Sequence, residues 1–406
     1  MIKKILTCFI MVTGLYANAQ STGNWLATLQ RPDGEKIVFN FVIENNNSKP
    51  VLYVFNAAEK IKVDNIRFTT DSVFINMPVF ESVIKAAIKN NEWHGTWTKG
   101  GTITEHVMPF SAVKSQQRFI TTDGNALINV TGRWAVSFEG DKSVPYPSVA
   151  EFKQTGNKLT GTILTPTGDY RYLEGIVSGN QIKLSTFDGG HAFLFTATVS
   201  NNKTISNGQF YSGKTFKESW HAVKKAKAKV NAAAAAMAMK PGEEKLNFAF
   251  PDLDGMTVSI NDERFKNKVA IVQIMGSWCP NCMDETAFLS EYYNNNKQRG
   301  VEVISLAYEY STDFERSVKS VKKFQQRFNV QYPMLITGVS VSDSLRTEKT
   351  LPQVTAIKFF PSSIIIDKKG MVRKFDTGFV GPGTGKYHEA YSKAFYAFID
   401  ELLSEK

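Results

Sequence analysis

Ile37, Phe39, Phe41 and Ile43 alternate with Val38, Asn40, Val42 and Glu44, and this two-residue period places the largest apolar groups on one face of a strand. Strand-like patterning of this kind runs from about residue 21 to residue 224. Gly156-Asn157 and Gly179-Asn180 separate β-rich runs, and Gly-Asn pairs supply the positive φ of tight hairpins, so antiparallel β structure is predicted. The region also reads as duplicated. Gly23-Asn24-Trp25 returns as Gly132-Arg133-Trp134, and Phe110-Ser111-Ala112-Val113-Lys114 as Trp220-His221-Ala222-Val223-Lys224, at offsets of 109 and 110. Gly95-Thr96-Trp97 and Gly208-Gln209-Phe210 follow less closely, at 113. Such a period is too long for a short-repeat solenoid; two sandwiches, two barrels or one fused sheet all fit it. Trp25, Trp97, Trp134 and Trp220 are expected as core plugs rather than the lining of a ligand mouth. His191, following the Asp188-Gly189-Gly190 turn, is expected as a hydrogen-bonded structural histidine.

The texture changes after Lys224. Lysines alternate with alanines, then Ala232 to Ala236 lead into Met237, Ala238, Met239 and Pro241-Gly242, which predicts a spacer able to be helical until the proline stops it. From residue 245 onward the apolar periods switch between strand and helix. Strands are predicted over 268–275, 301–307, 362–366 and 371–375, and helices over 284–295, 314–328 and 387–403, an order that makes a central sheet with covering helices. The glycines of 378–385 lack the spacing of a phosphate cradle and predict a sharp loop before the last helix.

A chain of 406 residues has room for two or three domains at one per ~150 residues. With 42% hydrophobic and 21% charged residues, it is neither disordered, collagen-like nor a polytopic membrane protein. Lys3 and Lys4, the apolar run from Ile5 to Tyr16 and Ala17-Asn18-Ala19 form a signal-peptide pattern, so residues 1–19 are expected to be cleaved and the mature chain exported to the periplasm. Loss of those two lysines takes the formal charge from +10 to +8. No basic block interleaved with aromatics accompanies this charge, and nucleic acid is not an expected partner.

Cys8 leaves with the leader, so Cys279 and Cys282 are the mature chain's two cysteines. They close too short a loop to staple a large protein, and a lone C-x-x-C of this kind is either a redox pair or a metal holder. A strand ending at Met275-Gly276-Ser277, then Trp278-Cys279-Pro280-Asn281-Cys282, then a helix, puts Cys279 at a helix N-terminus, where exposed amides and the macrodipole favour a thiolate. Cys279 is thus the expected nucleophile. Cys282, one turn deeper on the same side, is placed to resolve a mixed disulfide. Glu285 lies a further turn down; buried, it would exchange protons with Cys282, and exposed, it would be an ordinary helix residue. Phe360-Pro361 precedes a strand, and a cis bond there would bring an extended backbone edge beside the dithiol, although the sequence leaves the isomer open.

Trp278-Cys279-x-x-Cys282-x-x-Glu285, the preceding strand, Phe360-Pro361-Ser362-Ser363 and Asp367-Lys368-Lys369-Gly370 together resemble the extracytoplasmic thioredoxin-like proteins of the TlpA/ResA branch, over roughly residues 243–406. With the β-rich half, the chain is similar to larger exported redoxins of Bacteroidetes-type bacteria. Residue patterns and resemblance together give a multidomain chain: signal peptide 1–19, a duplicated all-β region of antiparallel sandwich or barrel-like form over 20–226 (copies about 20–115 and 130–226), an Ala/Lys-rich linker over 227–244, and, as the resemblance implies, an α/β thioredoxin-like domain over 245–406. The resemblance makes Cys279 the attacking cysteine, Cys282 the resolving cysteine, Glu285 the buried acid and Pro361 the cis proline. Trp278, Pro280 and Phe360 flank these groups as substrate-contacting candidates. The implied activity is thiol-disulfide exchange in the direction of a reductase, with disulfide-bearing exported proteins as the expected substrates, a membrane thiol donor as the expected source of electrons and no cofactor; the same C-x-x-C would oxidise its substrates if its reduced form were strongly stabilised.

Three departures accompany the resemblance. Gln273 stands where thioredoxins proper have a buried aspartate, Ala287 where the branch often has a proline, and Ser362-Ser363 where threonines are usual. Two other function classes fit parts of the chain. Cys279 and Cys282 with Met283 or His388 would suit a Cu(I) metallochaperone, since soft thiolates favour that ion. Alternatively the β-rich region is a ligand- or partner-binding module with an accessory redox domain. Gly276 stands where a peroxiredoxin needs threonine or serine, which disfavours a peroxidase.

Overall fold

The computed structural model describes residues 22–46, 49–100, 106–121, 124–139, 146–230 and 237–405. The expected leader and the alanine run 232–236 lie outside the described residues.

The β region forms two barrel-like meanders. In the first, nine strands among the described residues run from Gly23–Gln30 to His106–Lys114, and these two pair with each other across a seam. The second repeats that plan with Gly132–Glu139 against Phe216–Lys224, and pairing of Tyr146–Thr155 with both neighbours, Gly132–Glu139 and Lys158–Thr165, closes its ring. Closure removes the exposed edges of the second sheet, whereas the first sheet still ends in Glu59–Val63 and Ile66–Phe68, which do not pair with each other. The duplicated anchors fall at matching seam positions: Trp25 pairs with Lys114 and Trp134 with Lys224, each ammonium lying over its indole at 4.4 and 5.4 Å. Gly156 and Gly179 take φ of +58° and +56° in their two-residue turns. Trp25, Trp97, Trp134 and Trp220 are all buried as core plugs.

The barrels are not separate beads. Phe187, Ala192, Leu194 and Tyr211 of the second barrel are buried in the core of the first. The Asn56 amide donates to the Phe187 carbonyl at 2.9 Å and accepts from its N–H at 3.1 Å, and Ser185 Oγ donates to the Val38 carbonyl. His191 is structural, with Nδ1 3.0 Å from the Asp188 carboxylate.

The C-terminal domain has a five-stranded sheet in the order Met334–Ile336, Val301–Ala307, Val269–Met275, Ser362–Ile366, Val372–Thr377, with the first three parallel and the last two antiparallel. Central strands covered on both faces need continuous apolar runs, and every residue of Val269–Met275 is buried. Helices Pro280–Asn296, Phe314–Arg327 and Lys386–Ser404 pack on one face. Leu246, Phe248, Phe265, Leu351, Val354 and Ile357 cover the other.

Two expectations need correction. The first helix begins at Pro280 rather than 284, because a proline at the first helical position lacks only an N–H that the helix would leave unpaired. The expected spacer 227–244 is not helical where it is described beyond the alanine run. Met239 bridges Val354, the Lys240 N–H donates to the Gln353 carbonyl at 2.8 Å, and Met237 is buried in the redox-domain core. Its apolar side chains cover the sheet, so this part of the linker belongs to the domain it was expected only to tether.

Candidate active site

Strand Val269–Met275 delivers the chain to the N-terminus of helix Pro280–Asn296, with Cys279 as the capping residue. The Cys279 sulfur accepts the Cys282 N–H at 3.3 Å, and its own S–H faces the Phe360 carbonyl at 3.6 Å. That carbonyl belongs to the cis Phe360–Pro361 bond, so the distant proline turn and the dithiol meet. Trp278 is fixed beside them by its indole N–H to the Tyr308 carbonyl at 2.9 Å, with its ring 5.4 Å from those of Tyr310 and Phe360. Cys279 is 4% exposed and Cys282 fully buried. Burial pushes the Cys282 thiol well up from its ordinary value, and the hydrogen bond and charge of Cys279, with the charge of Glu285, add to it.

Glu285 is buried one turn beneath Cys282. Its two oxygens accept from Gln273 Nε2 and Ser363 Oγ, both at 2.9 Å. Burial nevertheless wins and pushes its carboxyl up to about 7, where it exchanges protons near neutral pH. Gln273 is itself oriented by Ser305, whose hydroxyl donates to Oε1 at 2.7 Å. The residues at two of the sequence departures, Gln273 and Ser363, are thus the acid's direct partners, a role that spacing alone does not reveal.

Glu285→Gln should remove a pH inflection near 7 from the rate of thiol exchange and slow that rate on the order of 10²-fold. The same substitution should stabilise the fold. Above the ordinary carboxylate range the unfolded chain is ionised while the folded one still holds its proton, so wild-type stability falls as pH rises toward 7. The gain in Tm should therefore be largest above pH 7 and vanish below about pH 4. Thermal melts and pH-rate profiles of both proteins check this.

The Redoxin family matches residues 240–390. Thiol-disulfide oxidoreductase ResA of Bacillus thuringiensis subsp. konkukian (strain 97-27) is 30% identical over 134 residues, 33% of this chain and 68% of the relative. The chain belongs to the ResA-type thiol-disulfide oxidoreductases. The Bacillus anthracis ResA is 28% identical over 155 residues, covering 38% of this chain and 78% of that one. A solved thiol-disulfide oxidoreductase from Bacteroides fragilis NCTC 9343 aligns at 20% identity and a TM-score of 0.28, over 36% of this chain and 99% of its own. Among the described residues, no helix of this ResA-type oxidoreductase is long and apolar enough to cross a membrane.

The β region grips the ResA-type domain on both sides of the dithiol. From the second barrel, the buried Arg171 pairs with Asp284, two residues past Cys282, and with Glu59 of the first barrel, and its guanidinium lies 3.5 Å from the Pro280 carbonyl. One side chain thus ties three units together. Asp284, Glu59 and Asp188 hold Arg171 charged against its burial. Burial pushes Asp284 up to about 7, Arg171 opposes the rise, and Asp169 and Glu59 add to it, because carboxylates outnumber the cation they share. Arg171 adopts φ of +56°, a left-handed conformation that costs a non-glycine residue ~1–2 kcal/mol and is retained here by side-chain ties. Asp169 accepts the Gly381 N–H at 2.8 Å, so the glycine-rich loop is a docking surface for the barrel. From the first barrel, Val79 and Phe80 enter the redox-domain core, and Glu81 pairs with Arg316 and accepts from Ser320 at 2.6 Å. Nothing in the local pattern around Glu59, Glu81 or Arg171 marks these roles.

Trp278 and Phe360 stand beside the dithiol as the sequence places them, and Pro280 opens the helix. His388 is turned elsewhere, with Nδ1 2.7 Å from the Val380 carbonyl, and among the described residues no three His, Cys, Asp or Glu side chains group to hold a metal.

Proposed function

We propose that the protein is a periplasmic reductase of disulfides in other exported proteins. The asymmetry of the dithiol carries this reading: Cys279 caps a helix, while Cys282 is buried and held as a thiol. The Cys279 thiolate attacks a partner disulfide. A bond from Cys279 to one partner sulfur forms as the partner's own S–S bond breaks, and the departing thiolate takes a proton from water. Cys282 then gives its proton to the Glu285 carboxylate and attacks Cys279. The Cys279–Cys282 disulfide forms, the partner's second sulfur leaves and is protonated, and two electrons have passed to the partner. A strong oxidant owes its potential to a stabilised reduced form, so the reduction potential of the Cys279/Cys282 pair decides the direction. The leader pattern of residues 1–19 supports export, and a thiol donor at the membrane would restore the dithiol.

Intact-mass measurement of alkylated protein across defined redox buffers tests the direction. A potential near or below roughly −250 mV is expected, and one near about −120 mV would overturn the assignment as a reductase.

A further inference from the structure

The second barrel adds something the redox domain does not have alone. Between the barrel's Pro166, Tyr170 and Phe193 and the redox domain's Pro280, Asn281 and Phe359 lies a cavity of about 430 Å³. Two of its walls are the immediate neighbours of reacting groups. Pro280 follows Cys279, and Phe359 precedes Phe360, whose carbonyl faces the Cys279 sulfur at 3.6 Å. In the mixed disulfide the partner's cysteine is bonded to that sulfur, so the occupant of the adjoining space is dictated by a covalent tether. At about 3.3 Å per extended residue, the positions one or two removed from the partner's cysteine reach the cavity. Because Cys279 is 4% exposed, a thin extended segment is the form in which a disulfide gains access to it.

The cavity's chemistry states what that segment carries. Four of its walls are proline or phenylalanine side chains and a fifth is a tyrosine ring. The one carboxylate on its rim, Asp169, is already committed to the N–H groups of Arg171 at 2.7 Å and Gly381 at 2.8 Å, and its own N–H lies 3.5 Å from Asn281 Oδ1. A charged side chain entering here would lose its water and find no free counter-charge, whereas an aliphatic or aromatic one would bury its surface. Resting on the reductase reading above, we propose that this cavity is a specificity site, built jointly by the barrel and the redox domain, for an apolar side chain flanking the cysteine of the partner's disulfide. The barrel thereby selects among substrates for a dithiol it does not itself contain.

The test uses the full chain, prereduced, in single-turnover reactions with disulfide-linked homodimers of the peptides Gly-Leu-Cys-Leu-Gly and Gly-Asp-Cys-Asp-Gly. Each rate is normalised to that of 2-hydroxyethyl disulfide on the same protein. The leucine peptide is expected to react roughly 10- to 100-fold faster than the aspartate peptide, the range that one apolar contact in a pocket provides. Thr167→Trp, on the barrel side of the cavity, should fill it and bring that ratio toward one; Pro166→Trp serves as a second filling variant should the first not fold. Equal rates for the two peptides in the wild type, or an unchanged ratio in a folded filling variant, would overturn the cavity assignment alone. Failure of the wild type to reduce any of the three disulfides would instead overturn the reductase reading.

Discussion

Cys282→Ala is expected to turn the enzyme into a trap that forms a mixed disulfide with a substrate and does not release it. Cys279 keeps its place at the helix cap, and the N–H of residue 282, which survives the substitution, still donates to its sulfur. The first step therefore proceeds. The second step loses its nucleophile, and external thiol must replace a group held on the same helix turn. Even a modest effective concentration of about 1 M for the internal thiol implies a loss of turnover on the order of 10³-fold or more in about 1 mM external thiol. Intact mass should show one covalently bound substrate per chain, removed by excess reductant. Persistent turnover, or the absence of an adduct, would contradict the assigned roles of the two cysteines. The corresponding Cys279→Ala variant should form no adduct, because Cys282 is fully buried and its thiol is held protonated.

Arg171→Ala should have the largest effect on stability. The side chain is buried between Glu59 and Asp284, and its removal leaves two carboxylates in low dielectric without their counter-charge. Breaking a buried pair on one side costs about 3–5 kcal/mol, most of it the penalty of the stranded charge. Here the loss falls on the junction of both barrels with the active-site helix. Urea unfolding should show the destabilisation, and alkylation of Cys279 by iodoacetamide should accelerate on the order of 10²-fold as the junction opens. Replacing all three members, with Glu59→Gln and Asp284→Asn alongside Arg171→Met, should recover part of the stability, because the two carboxylates paired to the guanidinium are removed with it while Asp169 and Asp188 keep their own backbone and histidine partners. Unaltered unfolding and alkylation in Arg171→Ala would show that the apolar contacts of Val79 and Phe80 hold the junction by themselves.

The candidate chemistry was legible because it is local. A proline between two cysteines at a strand-to-helix junction places one sulfur on the helix cap and the other a turn below, whatever surrounds them. The alternation around Phe39 and Phe41 and the apolar run Val269–Met275 likewise depend on neighbours in the chain. The first helix starts a turn ahead of the periodic stretch 284–295, because apolar periodicity marks the body of a helix whereas its first turn is marked by the cap and by Pro280. The spacer was misread because helix propensity is a weak force beside the apolar cover that Met237 provides to the redox-domain core.

Residue types and their spacing thus carried the redox chemistry, the β-to-α/β organisation and the duplication, since side-chain period and helix-end electrostatics act over a few residues. Tertiary structure alone decided that the duplicated sheets curl into barrels, because ring closure rests on pairing such as that of Gly132–Glu139 with Phe216–Lys224, strands far apart in the chain. It also decided that Glu285 is buried against Gln273 and Ser363, and that Arg171 joins Glu59 to Asp284. Burial and ion pairing are properties of what lies within a few ångströms, and for these residues those neighbours come from distant segments whose approach no local pattern encodes.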